Sequence, residues 1–148
     1  MRSAMLKNYL GTVGLVILLA AVSAAQAARE PQKGSAERKA ILDALRVPVE
    51  HDLKQKIVFT ADHLKVTGTW AFISGSPQTP AGTRPNYTNT KYKDAVDSGA
   101  FDNNVFALLK RSGRKWRVVK YALGCTDVCF LDWPTIHRAP KSIFPFGE

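Results

Sequence analysis

At 148 residues the chain is long enough for one domain with a modest core and too short for two. Its formal net charge of +9 favours anionic partners and decides nothing about fold. Two cysteines exclude a disulfide-dense scaffold, and no nucleophile motif, metal-ligand cluster or phosphate loop is present in the sequence.

Arg2 and Lys7 are the only charges before Arg29. They precede an apolar run over residues 13–22, followed by small residues ending in Ala25-Gln26-Ala27. A basic head, an apolar core and a small-x-small site are the three parts of a secretory signal peptide. The core is shorter than the ~20 apolar residues of a membrane span. It contains no cysteine, which excludes a lipid-modified anchor; an uncleaved anchor is the competing reading. We expect residues 1–27 to be a leader cleaved after Ala27. That leaves 121 of the 148 residues and, without Arg2 and Lys7, lowers the formal charge from +9 to +7. The expected location is the periplasm or the medium, with no transmembrane segment in the mature chain.

Residues 28–34 (AREPQKG) are polar and read as a linker, and residues 35–148 as a single domain. Ser35 is a helix N-cap with Glu37 in the first turn. Ile41, Leu42, Leu45 and Val49 share one face, while Glu37, Arg38, Lys39, Asp43 and Arg46 point away from it. Pro48 interrupts the pattern, so the helix is expected over residues 36–46, with a kink or restart carrying His51 and Leu53.

Residues 57–67 (IVFTADHLKVT) read as a strand whose apolar face changes, from Ile57 and Phe59 to Leu64 and Val66. A strict period of two forbids that change, so a bulge or bend is expected near residues 61–63. Gly68 makes a turn into a second strand over residues 69–76, with Trp70 and Phe72 on one face. Gly75, Ser76, Pro77 and Pro80 are expected to end it. Residues 78–104 form a long insertion between strands 2 and 3, of the kind that is functional or hides a short element. One helical turn is expected over residues 91–96, with Tyr92 and Val96 inward. Residues 86–90 (NYTNT) suit a ligand-covering loop, and an idle surface loop is the alternative. Asn86-Tyr87-Thr88 fits a glycosylation acceptor, which matters only in a eukaryotic host.

Residues 105–111 and 116–123 are separated by Ser112-Gly113-Arg114-Lys115, the pattern of a hairpin with a four-residue loop. Phe106 and Leu108 oppose Val105, Ala107 and Leu109 on the first strand. On the second, Val119, Tyr121 and Leu123 oppose Trp116, Val118 and Ala122. Both faces are largely apolar, which predicts a central hairpin covered on two sides. Its outer end carries Lys110, Arg111, Arg114, Lys115, Arg117 and Lys120, and no acidic residue occurs between Asp102 and Asp127. These six cations form the candidate anion surface. The partners it admits are lipid headgroups, lipopolysaccharide, a cell-wall polymer, nucleic acid or an acidic protein. The plainer reading is that basic hairpin tips stay solvated and resist edge pairing.

Cys125 and Cys129 follow, and two cysteines in an exported chain are expected to pair. Their spacing is too tight for one regular helix. Cys125 is therefore expected in a bend, with Thr126 or Asp127 capping a short helix that holds Cys129. Closing so short a loop contributes ~2 kcal/mol. A metal would have only His137 with Asp127 or Asp132 as further local ligands, and a redox pair usually has two intervening residues; neither a metal nor a cofactor is expected. The tail over residues 133–146, with Ile136, Ile143, Phe144 and Phe146, is expected to pack back over the sheet.

The order predicts an α+β fold, an N-terminal helix on a curved antiparallel sheet of about four strands. The segments ERKAILDALRVPVE, TGTWAFISGSPQ, FALLKRSGRKWRVVKYALG and TDVCFLDW resemble an uncharacterised family of small secreted bacterial proteins. More loosely, they resemble the nuclear transport factor 2-like and cystatin-like α+β rolls. The resemblance implies a fold and a compartment and carries over no catalytic residues. Rolls of this kind can hold a pocket between helix and sheet, where His63 beside Asp62, Asp127 and Tyr121 are the candidates for proton transfer. The expected function is an exported, non-catalytic binding protein. The alternatives are a small roll-pocket enzyme and a secreted factor, such as a virulence factor, acting on a host or neighbouring cell.

Overall fold

Helix α1 (Ala36–Leu53) opens the domain in the computed structural model, which describes residues 26–146. The expected leader, up to residue 25, lies outside the described residues. The Ser35 hydroxyl accepts the Arg38 N–H at 3.2 Å and caps the helix start. The helix does not stop at Arg46 and restart beyond Pro48; it continues to Leu53 and ends at Lys54, whose φ is 55°. A proline inside a helix costs about 3 kcal/mol. Beyond it, Val49 and Leu53 are buried on the same stripe as Ile41 and Leu45. Each such burial contributes ~1.5–3 kcal/mol, so the two together outweigh the proline. Arg38, expected to face water, is instead buried, and its guanidinium donates to the Pro31 carbonyl and to Glu30. Residues 28–34, read from sequence as a linker, dock on the domain: Arg29 bridges Val66 and Pro31 is buried.

The sheet comprises β1 (Val58–Thr67), β2 (Trp70–Gln78), β3 (Val105–Ser112) and β4 (Lys115–Leu123), antiparallel and adjacent in that order. In β1, Ala61 pairs with Gly75 and His63 with Ser74, so Asp62 is the extra residue of the expected bulge. It turns Phe59, Ala61, Leu64 and Val66 toward the same core. Strand β2 runs past Pro77, contrary to expectation, because β3 flanks it only as far as Gly75. The end beyond is unflanked on that side, where a missing N–H is tolerated.

The β3–β4 loop is shorter than expected. Ser112 pairs with Lys115, leaving Gly113-Arg114 as a two-residue turn. Gly113 has a φ of 60°, the left-handed position that begins a type II′ hairpin. A second bulge, which the sequence reading missed, lies in β4: Leu108 pairs with Lys120 and Leu109 with Val118. It leaves Val119 unpaired and puts Trp116 and Val118 on the same face as Tyr121 and Leu123. The expected opposition of those residues is therefore corrected. So is the central placing of the hairpin, since β3 is interior but β4 is the outer edge.

Two cores lie on opposite faces of the sheet. Against α1 pack Val66, Ala71, Ile73, Val105, Ala107 and Leu109. On the other face Phe72 and Leu108 are covered by Phe130, Trp133, Ile143 and Phe144. This tail layer contains α3 (Trp133–His137) and a 3-10 turn at Lys141–Ile143. The tail thus packs back over the sheet as expected. His63 fastens it by donating from Nε2 to the Ile143 carbonyl at 2.7 Å. Cys125 and Cys129 form the expected disulfide, with Cα atoms 6.2 Å apart. No helix holds Cys129, however; it lies in a turn before α3, whose N-cap is Asp132. Residues 79–104 join β2 to β3 and carry α2 (Lys93–Asp97), against which the expected turn at residues 91–96 is shifted by two at its start. Tyr92 and Val96 do pack against the α1-side core.

Candidate functional site

Strand register divides the six hairpin cations. Lys110 pairs with Arg117, Lys120 with Leu108 and Lys115 with Ser112, which sets these four on the tail face. Arg111 pairs with Trp116 on the α1 face, and Arg114 occupies the turn. Lys110 Nζ lies 4.7 Å from the Trp70 ring centre, and the Arg111 guanidinium 5.6 Å from that of Trp116. Such contacts hold a cation without neutralising it. Among the described residues none of the six makes an ion pair, whereas cations on α1 and α2 do. Lys115, Arg117 and Lys120 sit on the edge strand, where lysines and a bulge discourage pairing with another chain. That explanation does not reach Lys110, because β3 is flanked on both sides.

The residues proposed for proton transfer do not converge. His63 faces the tail from β1, whereas Tyr121 faces α1 from β4, so the sheet lies between them. Asp127 is exposed in the disulfide loop, where its Oδ1 accepts the Val128 N–H at 2.7 Å. An open groove of about 510 Å³ runs beside Arg29, Gly68, Thr69 and Arg111, and another of about 350 Å³ along Arg38, Leu42 and Arg46. His63, Tyr121 and Asp127 line neither. Among the described residues there is no group of three or more His, Cys, Asp or Glu side chains able to hold a metal ion.

A different polar centre forms around Asp52, a residue the sequence reading passed over. Near the end of α1, its Oδ2 accepts from Tyr121 at 2.5 Å and Tyr92 at 3.2 Å, and pairs with Lys91 at 2.7 Å. Burial pushes the Asp52 carboxyl up, but Lys91, Tyr121 and Tyr92 together hold it below the ordinary carboxylate range. Burial, together with the Asp52 charge and the hydrogen bonds to it, holds both phenols above the usual tyrosine value. Nearby, burial pushes Tyr87 up to about 12, and its hydroxyl donates to Asn103 at 2.6 Å. The arrangement is a tether: one carboxylate ties α1, the β2–β3 connection and β4. Only the tertiary fold brings residues 52, 91, 92 and 121 together, although Tyr92 was rightly read as inward.

The tether has a pH signature. A carboxyl depressed in the folded state contributes stability above its unfolded pKa, and that contribution disappears as pH falls through the folded value. The raised phenols act at the other end, their contribution declining as pH climbs past the ordinary tyrosine range. Asp52→Asn should cost about 1–2 kcal/mol at neutral pH and flatten the acid limb of the stability profile. Urea unfolding at neutral and acid pH measures both; an equal loss at both ends of the acid limb would refute the tether.

The molecule is thus a disulfide-bonded α+β protein, a four-stranded antiparallel sheet between one long helix and a C-terminal tail layer. Among its described residues no helix is long and apolar enough to cross a membrane. Comparison with known proteins found no matching family model, no matching curated protein and no matching solved structure.

Proposed function

We propose that the chain is an exported, non-catalytic binding protein whose basic hairpin face takes an anionic partner. The partner classes are a lipid headgroup, lipopolysaccharide, a cell-wall polymer or an acidic protein. Export rests on the leader pattern in residues 1–27 and accords with the disulfide. The observation that carries the binding reading is Lys110. It stands on an interior strand, aligned with Arg117, with no carboxylate partner among the described residues. Edge protection gives no reason for a cation there, and a folded anchor of this kind presents charge at little entropic cost.

The test replaces Lys110, Lys115, Arg117 and Lys120, the four cations of the tail face, together with alanine. Binding of a soluble sulfated polysaccharide is then followed over a salt series. Each lost contact should lower the slope of log affinity against log salt by about one, and affinity at low salt should fall by roughly tenfold or more. Unchanged affinity with an unchanged slope would mean that this face is not the contact.

A further inference from the structure

The tail layer adds a second property to the same side of the sheet. Of the seven large apolar side chains exposed among the described residues, four lie in it: Val128, Leu131, Ile136 and Phe146. Leu131 is 67% exposed and Ile136 62%. Exposed aliphatics scattered singly require no explanation, but four of the seven in one short segment do. Their base is fixed: the Cys125–Cys129 bridge closes one end, and Phe130 and Trp133 are anchored against Phe72.

The apolar layer and the cationic row adjoin. Trp70 packs at the margin of the tail cluster and carries Lys110 over its ring, with Arg117 next across the sheet. Arg138 and Lys141 add two exposed cations within the tail, neither ion-paired among the described residues. Against them stand two exposed carboxylates of the tail, Asp127 and Asp132. With Lys110, Lys115, Arg117 and Lys120, exposed cations outnumber these two carboxylates among the described residues on this side.

We propose that this face docks on the surface of an anionic lipid bilayer. Leu131 and Ile136 enter the headgroup boundary, while Lys110, Arg117 and Lys120 lie against lipid phosphates. The proposal rests on the basic-face reading and narrows its partner from polyanions in general to a lipid interface. A soluble polyanion would engage the cations and leave the aliphatics in water; an anionic interface rewards both. Trp70, an amphipathic ring between the two zones, fits the same boundary.

The test is flotation of the protein with vesicles of phosphatidylcholine alone, or mixed with phosphatidylglycerol at roughly seven to three. The wild type should bind the mixed vesicles and not the neutral ones. Leu131→Ser with Ile136→Ser should bind the mixed vesicles about tenfold more weakly, while retaining its affinity for soluble sulfated polysaccharide. Leu131→Trp, a substitution at an exposed site, should tighten vesicle binding. Unchanged vesicle binding by both variants overturns the bilayer proposal and leaves the basic-face reading standing. If the wild type binds neither vesicles nor polysaccharide, both fall. A wild-type dimer in solution that the double serine variant makes monomeric would assign the face to a second copy and also overturn the proposal.

Discussion

Phe72→Ala should remove about 3–5 kcal/mol of stability, the usual cost of deleting a fully buried aromatic ring. Phe72 has no exposed surface and stands at the centre of the tail-side core. Its ring lies 4.6 Å from Phe144, 5.0 Å from Phe130, 5.9 Å from His63 and 6.3 Å from Trp133, centre to centre. Phe130, Trp133 and Phe144 of the tail therefore all meet the sheet at this side chain. The disulfide cannot substitute for it, since closing so short a loop contributes only ~2 kcal/mol. Domains of this size commonly hold 5–15 kcal/mol in total, roughly, so the variant should be marginal. The loss should appear as a lower urea midpoint, with faster tryptic cleavage after Arg138 and Lys141 as the tail lifts. Val58→Ala, at a site 37% exposed, should be nearly neutral. A loss below about 1 kcal/mol for Phe72→Ala would mean that the tail does not cover the sheet as described.

Local patterns were readable wherever one face of an element decides its conformation. The switch of apolar side between Phe59 and Leu64 confines an irregularity to residues 61–63, where the register places the bulge at Asp62, because a one-residue slip flips every later side chain. Ser35 and the stripe of Ile41, Leu45 and Val49 located the start of α1 in the same way. The bulge at Val119 leaves a similar trace, since the apolar side passes from Trp116 and Val118 to Tyr121 and Leu123 while the cations pass from Arg117 to Lys120; the adjacent pair Val118-Val119 and the small apolar Ala122 mask it. Pro48 misled because its penalty is local, whereas the burial of Val49 and Leu53 that offsets it is tertiary.

The same contrast applies to the candidate sites. Contiguity made the hairpin cations visible, but their division between two sheet faces depends on a register that only the fold supplies. Asp52 was hidden because its partners lie as much as 69 residues away. His63 and Tyr121 looked equivalent as titratable strand residues until the sheet placed them on opposite sides.

Gly124→Ala should cost about 2–4 kcal/mol through two separable effects. Gly124 adopts a φ of 75°, a left-handed conformation that penalises an L side chain by ~1–2 kcal/mol. A Cβ there would also lie 2.0 Å from carbons of the Phe101 ring. Phe101 is buried, with ring centres 4.7 Å from Tyr87 and 5.4 Å from Tyr92, so it has little room to yield. The backbone around the glycine is committed as well: its N–H donates to Asn104 and its carbonyl accepts from Asp102. This residue is where the β2–β3 connection meets the turn into the disulfide loop, and the corner cannot shift without breaking both bonds. The two effects separate in a double-mutant cycle. In a Phe101→Ala background the ring is gone, and Gly124→Ala should then cost only the backbone share of ~1–2 kcal/mol. An undiminished cost in that background would assign the whole effect to the left-handed backbone and none to the ring.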